Sequence, residues 1–129
     1  METQVMTMTT AEIAQKLVDL SREGKFEQIH QELFSPEIIS VEPNKSGGWD
    51  VEKGFDGLKK KSEQWQTMVE EMIGGEISDP IVAGNHFTCT WKTQVRFKGA
   101  PEAVAMDEVA VYEVKDGKVV LEQFFYTPF

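Results

Sequence analysis

His86-Phe87-Thr88-Cys89-Thr90-Trp91-Lys92-Thr93-Gln94-Val95-Arg96-Phe97-Lys98 alternates almost without a break. Phe87, Cys89, Trp91, Val95 and Phe97 are apolar at the odd positions, with Thr93 the exception, while Thr88, Thr90, Lys92, Gln94 and Arg96 are polar at the even ones. A period of two is that of a strand with one buried and one wet face. The stretch is roughly twice the usual strand length, which predicts a strand that curves around something. Its concave side is the natural place for function.

Working outward, turn formers bracket this strand: Gly84-Asn85 before it and Lys98-Gly99-Ala100-Pro101 after it. Strands are expected at about 76–83, 86–98, 103–114 and 118–127, with Lys115-Asp116-Gly117 joining the last two, as an antiparallel meander. The N-terminal half is helical. Thr9-Thr10-Ala11-Glu12 fits a capping box, Ile13, Leu17 and Leu20 follow at helical spacing, and Gly24 supplies a stop. Phe26, Ile29, Leu33 and Phe34 mark a second helix ended by Ser35-Pro36. A β-rich segment Ile38-Ile39-Ser40-Val41-Glu42 halts at Pro43, and residues 44–57, with four glycines, read as a loop or lid carrying Trp49. A third helix begins near Asp56, with Leu58, Trp65, Met68, Val69 and Met72 on one face and Gly74-Gly75 closing it. Helices followed by long strands give an α+β domain whose helices cover one face of a curved sheet, leaving a pocket between the layers.

The 129 residues make one domain, 1–129, large enough for a single core. The formal charge of -9 speaks against nucleic-acid binding, and the only dense basic run, Lys59-Lys60-Lys61, reads as the solvated face of a helix. One cysteine, Cys89, excludes an internal disulfide and a multi-cysteine metal site. His30 and His86 have no metal-ligand spacing, and there is no Gly-rich phosphate loop or Gly-x-Ser-x-Gly elbow, so neither metal nor cofactor is expected. The N-terminal residues lack a signal-peptide pattern and no stretch is long and apolar enough to span a membrane, which makes a cytoplasmic location the expectation.

The segments Leu33-Phe34-Ser35-Pro36-Glu37-Ile38-Ile39-Ser40-Val41-Glu42-Pro43, Gly54-Phe55-Asp56-Gly57-Leu58 and Asp116-Gly117-Lys118-Val119-Val120-Leu121-Glu122-Gln123-Phe124-Phe125-Tyr126, in this order, resemble the nuclear transport factor 2-like (NTF2-like) superfamily, and within it the SnoaL-like, polyketide cyclase-like proteins. The resemblance covers about residues 10–129. It implies a cystatin-like cone: three N-terminal helices on a curved antiparallel sheet around a pocket. For function it implies little, because the superfamily includes isomerases, cyclases, hydrolases, dehydratases and transport factors. The ketosteroid isomerases place their general base just before a proline at the end of the first strand, where Glu42 precedes Pro43. Their helix donor falls at Leu17, which cannot donate, and their second acid falls near Ala110, with Glu108 one step along the same face. The loss at Leu17 speaks against isomerisation of that type.

The similarity further implies that Glu108, Ala110, Tyr112 and Val114 face inward, with Asp107 and Glu113 outward, and that Glu122, Phe124 and Tyr126 face inward, with Leu121, Gln123 and Phe125 outward. Periodicity alone leaves this open, since Val109 and Val111 are apolar too. Glu42, Glu108 and Glu122 are the candidate acids and bases, because a carboxyl in an apolar pocket holds its proton to higher pH. Glu42 is alternatively a solvated residue at a strand end, and Glu108 and Glu122 are surface residues if the register slips by one. Trp49, Trp91, Tyr112, Phe124 and Tyr126 are candidate ligand contacts, the alternatives being core packing for Trp91, a loop anchor for Trp49 and a structural role for the two tyrosines. Three functions stay open: proton-transfer chemistry on an apolar or amphipathic small molecule, a non-catalytic binding module, and a homodimer formed through Val109, Val111, Leu121 and Phe125 on the outer sheet face.

Overall fold

The computed structural model describes residues 7–128. Residues 1–6, most of the stretch read for a signal peptide, and residue 129 lie outside the described residues. Helix α1, Thr10–Arg22, opens with the expected capping box, in which Glu12 N donates to Thr9 Oγ1 and Thr9 N donates to Glu12 Oε1. It ends in a Schellman turn: Gly24, at φ 72°, lets Lys25 N reach the Leu20 carbonyl and its own N–H reach that of Ser21. Helix α2, Phe26–Leu33, then passes directly into strand β1, Phe34–Pro43.

The next segment differs from the expected loop. Asn44 Oδ1 accepts from the backbone of Ser46 and Gly48, and this side-chain-stabilised turn feeds a short strand β2, Trp49–Lys53, paired antiparallel with β1. Trp49 therefore stands on a strand. Helix α3 runs Gly54–Met68 and strand β3 Val69–Ile77. Val69 and Met72 do not continue the helix as their spacing predicts, because β3 pairs with β5 over its whole length. Gly75 sits inside that pairing, where a Cβ would lie 3.0 Å from the Lys92 carbonyl oxygen, so the glycine serves close strand approach and not helix termination.

Strands β4 (Ile81–Ala83), β5 (His86–Phe97), β6 (Val104–Lys115) and β7 (Lys118–Phe125) complete the sheet. The meander β5-β6-β7 is antiparallel as expected. The sheet as a whole is mixed, since β1 joins β7 in parallel and gives the order β2-β1-β7-β6-β5-β3, with β4 also on β5. The fold is thus α+β with three helices and a curved, unclosed sheet.

Helices α1 and α2 bury Ile13, Leu17, Val18, Ile29 and Leu33 in one cluster with Phe87, Cys89, Tyr112 and Val119 of the sheet. Each such side chain stabilises the fold by about 1.5–3 kcal/mol. Leu17 is pure core. Helix α3 behaves differently: it buries only Gly57 and Leu58 and touches chiefly β1 and β2. Its face Leu58, Lys61, Trp65, Met68 runs at helical spacing, with Trp65 edge-on to Phe97 at 5.9 Å, and so overhangs the concave side of the sheet. Among the described residues no helix is long and apolar enough to cross a membrane.

Candidate functional site

Strand register decides which side chains share the concave face, because opposed residues in a sheet point the same way. Ser40 of β1 opposes Glu122 of β7, which opposes Tyr112 of β6, which opposes Phe87 of β5. The next row is Phe124, Ala110 and Cys89, and beyond it Glu108 opposes Trp91, which opposes Ile77. Phe87, Cys89, Ala110 and Tyr112 are buried under α1 and α2, so this face is the inner one. The inward sets expected from the resemblance, Glu108-Ala110-Tyr112-Val114 and Glu122-Phe124-Tyr126, lie on it.

Three glutamates and one lysine meet there. Glu42, two residues beyond Ser40, accepts from the Tyr126 hydroxyl at 2.9 Å through Oε1 and pairs with Lys61 Nζ at 2.8 Å through Oε2. Lys61 also donates to Ser40 Oγ at 2.5 Å, which in turn donates to Glu122 Oε1 at 2.8 Å. The ammonium is 3.9 Å from Glu122 and 4.9 Å from the centre of the Phe124 ring. This corrects the reading of Lys59-Lys60-Lys61 as one solvated face: Lys59 and Lys60 are exposed, whereas the Lys61 side chain retains 19% of its exposure. Helical geometry turns only every third or fourth residue inward, and Lys61 follows the buried Leu58 by three.

The carboxyls differ in their surroundings. Glu122 is buried, which raises its proton affinity above the usual carboxyl range, while Lys61 and the Ser40 hydroxyl act against that rise. Glu108 makes no side-chain hydrogen bond or ion pair among the described residues, and burial followed by the nearby Glu42 charge pushes its pKa up to about 7, with Lys61 opposing. Burial also raises Tyr112 and Tyr126, Tyr126 additionally through Glu42, and lifts the Cys89 thiol to about 11, which makes it an inert buried hydrophobe. His30, 5.0 Å from Phe34 by ring centres, is shifted down by burial and then by Lys61. Neither Lys61 nor Ser40 was singled out from the sequence. The signal for Lys61 lay in its spacing from Leu58 and Trp65.

Trp91, Tyr112, Phe124 and Tyr126 are thus gathered around the glutamates. Trp49 is not. It is about half exposed, alternates to the outer face, and packs edge-on against Phe125 at 5.5 Å. A depression of about 330 Å³ opens beside Tyr126, bounded by Met106, Asp107 and Pro128, and another of about 370 Å³ lies over Gly75, Thr93 and Asp107. The three glutamates line neither. Among the described residues no group of three or more histidine, cysteine or acidic side chains is arranged to hold a metal ion.

Comparisons bear on this arrangement. Residues 8–126 match the model of the SnoaL-like domain. A crystal structure from Mesorhizobium loti, described provisionally as a SnoaL-like polyketide cyclase, is 36% identical, covers 92% of this chain and all of its own, and superposes with a TM-score of 0.82. A protein of ketosteroid isomerase-like fold from Catenulispora acidiphila, solved with trimethylamine, is 19% identical over 92% of this chain and 88% of its own, at a TM-score of 0.69. TerC, co-crystallised with polyporic acid, is 18% identical over 92% of each chain, at 0.68. Comparison with curated proteins finds no match. By its family match over nearly the whole chain, and by the helix-covered mixed sheet that carries it, this protein belongs to the SnoaL-like domain family of the NTF2-like fold.

Proposed function

We propose that the concave face receives a small, largely apolar molecule and that Glu108 exchanges a proton with it. The observation that carries this reading is the state of Glu108: a mostly buried carboxyl with no hydrogen-bond or ion-pair partner among the described residues, its pKa pushed up to about 7, opposite Trp91 and near Tyr126. A group that holds and releases a proton near neutrality suits general acid–base work. Glu42 and Glu122 serve a different purpose in this reading. Their charges are absorbed by Lys61, Ser40 and Tyr126, so they hold the wall of the site and set the field around Glu108. The chemistry is of isomerase, cyclase, dehydratase or hydrolase type, in line with a family that includes cyclases and isomerases. A thermal-shift screen of neutral apolar compounds, followed by turnover assays of wild type and Glu108→Gln on each hit, tests it. Full turnover by the variant would sink the acid–base role.

The engagement of two of the three carboxylates also favours a second reading, a binding module without chemistry, since only one free acid remains. The Catenulispora and TerC structures, each holding a small molecule, support occupancy in this fold without specifying reaction. In that case Glu108→Gln keeps ligand affinity and no product forms. We further propose a homodimer through the outer sheet face, supported by the exposure of Val109, Phe125, Trp49 and Val51 on that face.

A further inference from the structure

The ladder between β6 and β7 stops at Val109 and Phe125, whereas β6 itself runs on to Val104, paired with β5 as far as Val95. Residues 104–108 therefore have a strand on one side only. The depression of about 330 Å³ lies in that notch, between Ala105, Met106 and Asp107 of β6 and Tyr126, Thr127 and Pro128 of the departing chain. Alternation puts Met106 and Tyr126 on the concave face with Glu108, and Ala105 and Asp107 on the outer one. Bounded from both faces, the notch opens through the sheet, and its volume suits a small molecule. It ends one step short of Glu108, which lies two residues along the same face from Met106 and would oppose Tyr126 had the ladder continued by one residue.

We infer that this notch is the entrance to the concave face and that the Tyr126 side chain is its gate. Helices α1 and α2 close one end of the face over Phe87 and Tyr112, and α3 lies across its middle, held by Leu58, by Lys61 and by Trp65 against Phe97. The second depression is bounded mainly by side chains of the outer parity, Glu76, Lys92, Gln94 and Asp107, and leads away from the glutamates. The rim beside Met72, half exposed on edge strand β3, is farther from Glu108 than the notch is. The gate is lightly held. Among the described residues the Tyr126 hydroxyl makes one hydrogen bond, to Glu42 Oε1 at 2.9 Å, and its ring is only half-buried. When the ring turns about its Cα–Cβ bond, Glu42 keeps Lys61 at 2.8 Å, so no carboxylate is left uncompensated. The notch and the space beside Glu108 then become one passage.

This inference rests on the concave face receiving a small molecule, and thiol labelling of Glu108→Cys separates the two. The chain's own cysteine, Cys89, is buried and serves as the internal control for unfolding. N-ethylmaleimide is the probe, and peptide mass spectrometry reads the rate at each position. Adding Tyr126→Phe, which keeps the ring and removes the latch, is expected to speed labelling at position 108 about tenfold, the population change for one hydrogen bond to a charged group. Thr127→Trp, which narrows the exposed side of the notch, is expected to remove most of that gain, and Met72→Trp, at the other rim, to leave it intact. A rate unmoved by Tyr126→Phe, or one slowed by Met72→Trp and not by Thr127→Trp, would overturn the entrance and leave the small-molecule reading standing. A parallel rise at Cys89 would trace the labelling to opening of the whole chain and overturn the gate. No labelling at position 108 in any of the variants would overturn both.

Discussion

Lys61 Nζ lies 2.8 Å from Glu42 Oε2, an ion pair that ties α3 to the end of β1 over the concave face. Both side chains are mostly shielded, so the pair is neither a screened surface contact nor a fully dry one. Lys61→Met strips the cation from Glu42 and removes the ammonium 3.9 Å from Glu122. A loss of about 1–3 kcal/mol is expected from urea unfolding. The double variant Lys61→Met, Glu42→Gln should recover part of that loss, because the uncompensated carboxylate is then gone. An unchanged unfolding midpoint in the single variant would show that the pair contributes nothing net.

Glu108 sets a pH dependence of known sign. Its folded pKa of about 7 exceeds the ordinary 4.5, so the native state binds the proton more tightly than the unfolded chain between those values. Stability from this group is present below about pH 4.5 and falls as pH rises to about 7, by an amount on the order of 3 kcal/mol before solvent screening is allowed for. Glu108→Gln carries no such penalty. It should be more stable than wild type at pH 8 by about 1–3 kcal/mol and nearly level with it at pH 4.5. Urea melts at the two pH values check this, and a variant no more stable at pH 8 would place the Glu108 carboxyl in water.

Lys61 also holds the Glu108 proton affinity down. In Lys61→Met the Glu108 carboxyl, followed by ¹³C NMR, should therefore titrate at higher pH than in wild type. A downward movement would contradict the arrangement of charges on this face.

The Ser40 hydroxyl is the hydrogen-bond donor to buried Glu122. Ser40→Ala leaves that carboxyl with Lys61 at 3.9 Å as its remaining support. The expected cost is about 1–3 kcal/mol, together with a further upward movement of the Glu122 titration. Ser40→Thr, which keeps the hydroxyl, should restore most of the titration behaviour. A Glu122 curve identical in Ser40→Ala and wild type would exclude the bond as a determinant.

On the outer face, Val109 and Phe125 are directly opposed across β6 and β7, and both are exposed in the single chain. If two copies pair there, light scattering after size exclusion gives a dimer at micromolar concentration, and Val109→Lys with Phe125→Glu gives a folded monomer. A monomeric wild type would end the dimer proposal.

The alternation from His86 to Phe97 was legible because a strand's two faces are a local property: each residue's side follows from its neighbour's. The same holds for the capping box at Thr9 and the stop at Gly24, each completed within six residues. The extension of helical spacing through Val69 and Met72 failed for the opposite reason. Those residues suit either a helix face or a strand, and the choice was made by the hydrogen-bonding edge of β5, at a register that local spacing does not contain.

The candidate site divides in the same way. The sequence by itself determined the α+β order, the long one-sided strand and, through the family resemblance, the inward parity of Glu108, Glu122 and Tyr126. Tertiary structure alone decided that Lys61 turns away from Lys59 and Lys60 to bind Glu42, that Ser40 serves Glu122, and that Trp49 leaves the site for Phe125. These contacts join residues 19 to 82 positions apart, where direction depends on how helix α3 and strands β1 and β2 dock on the curved sheet. Charge type and strand parity are carried along the chain, whereas the partner that each charge meets is set by the packing of elements against one another.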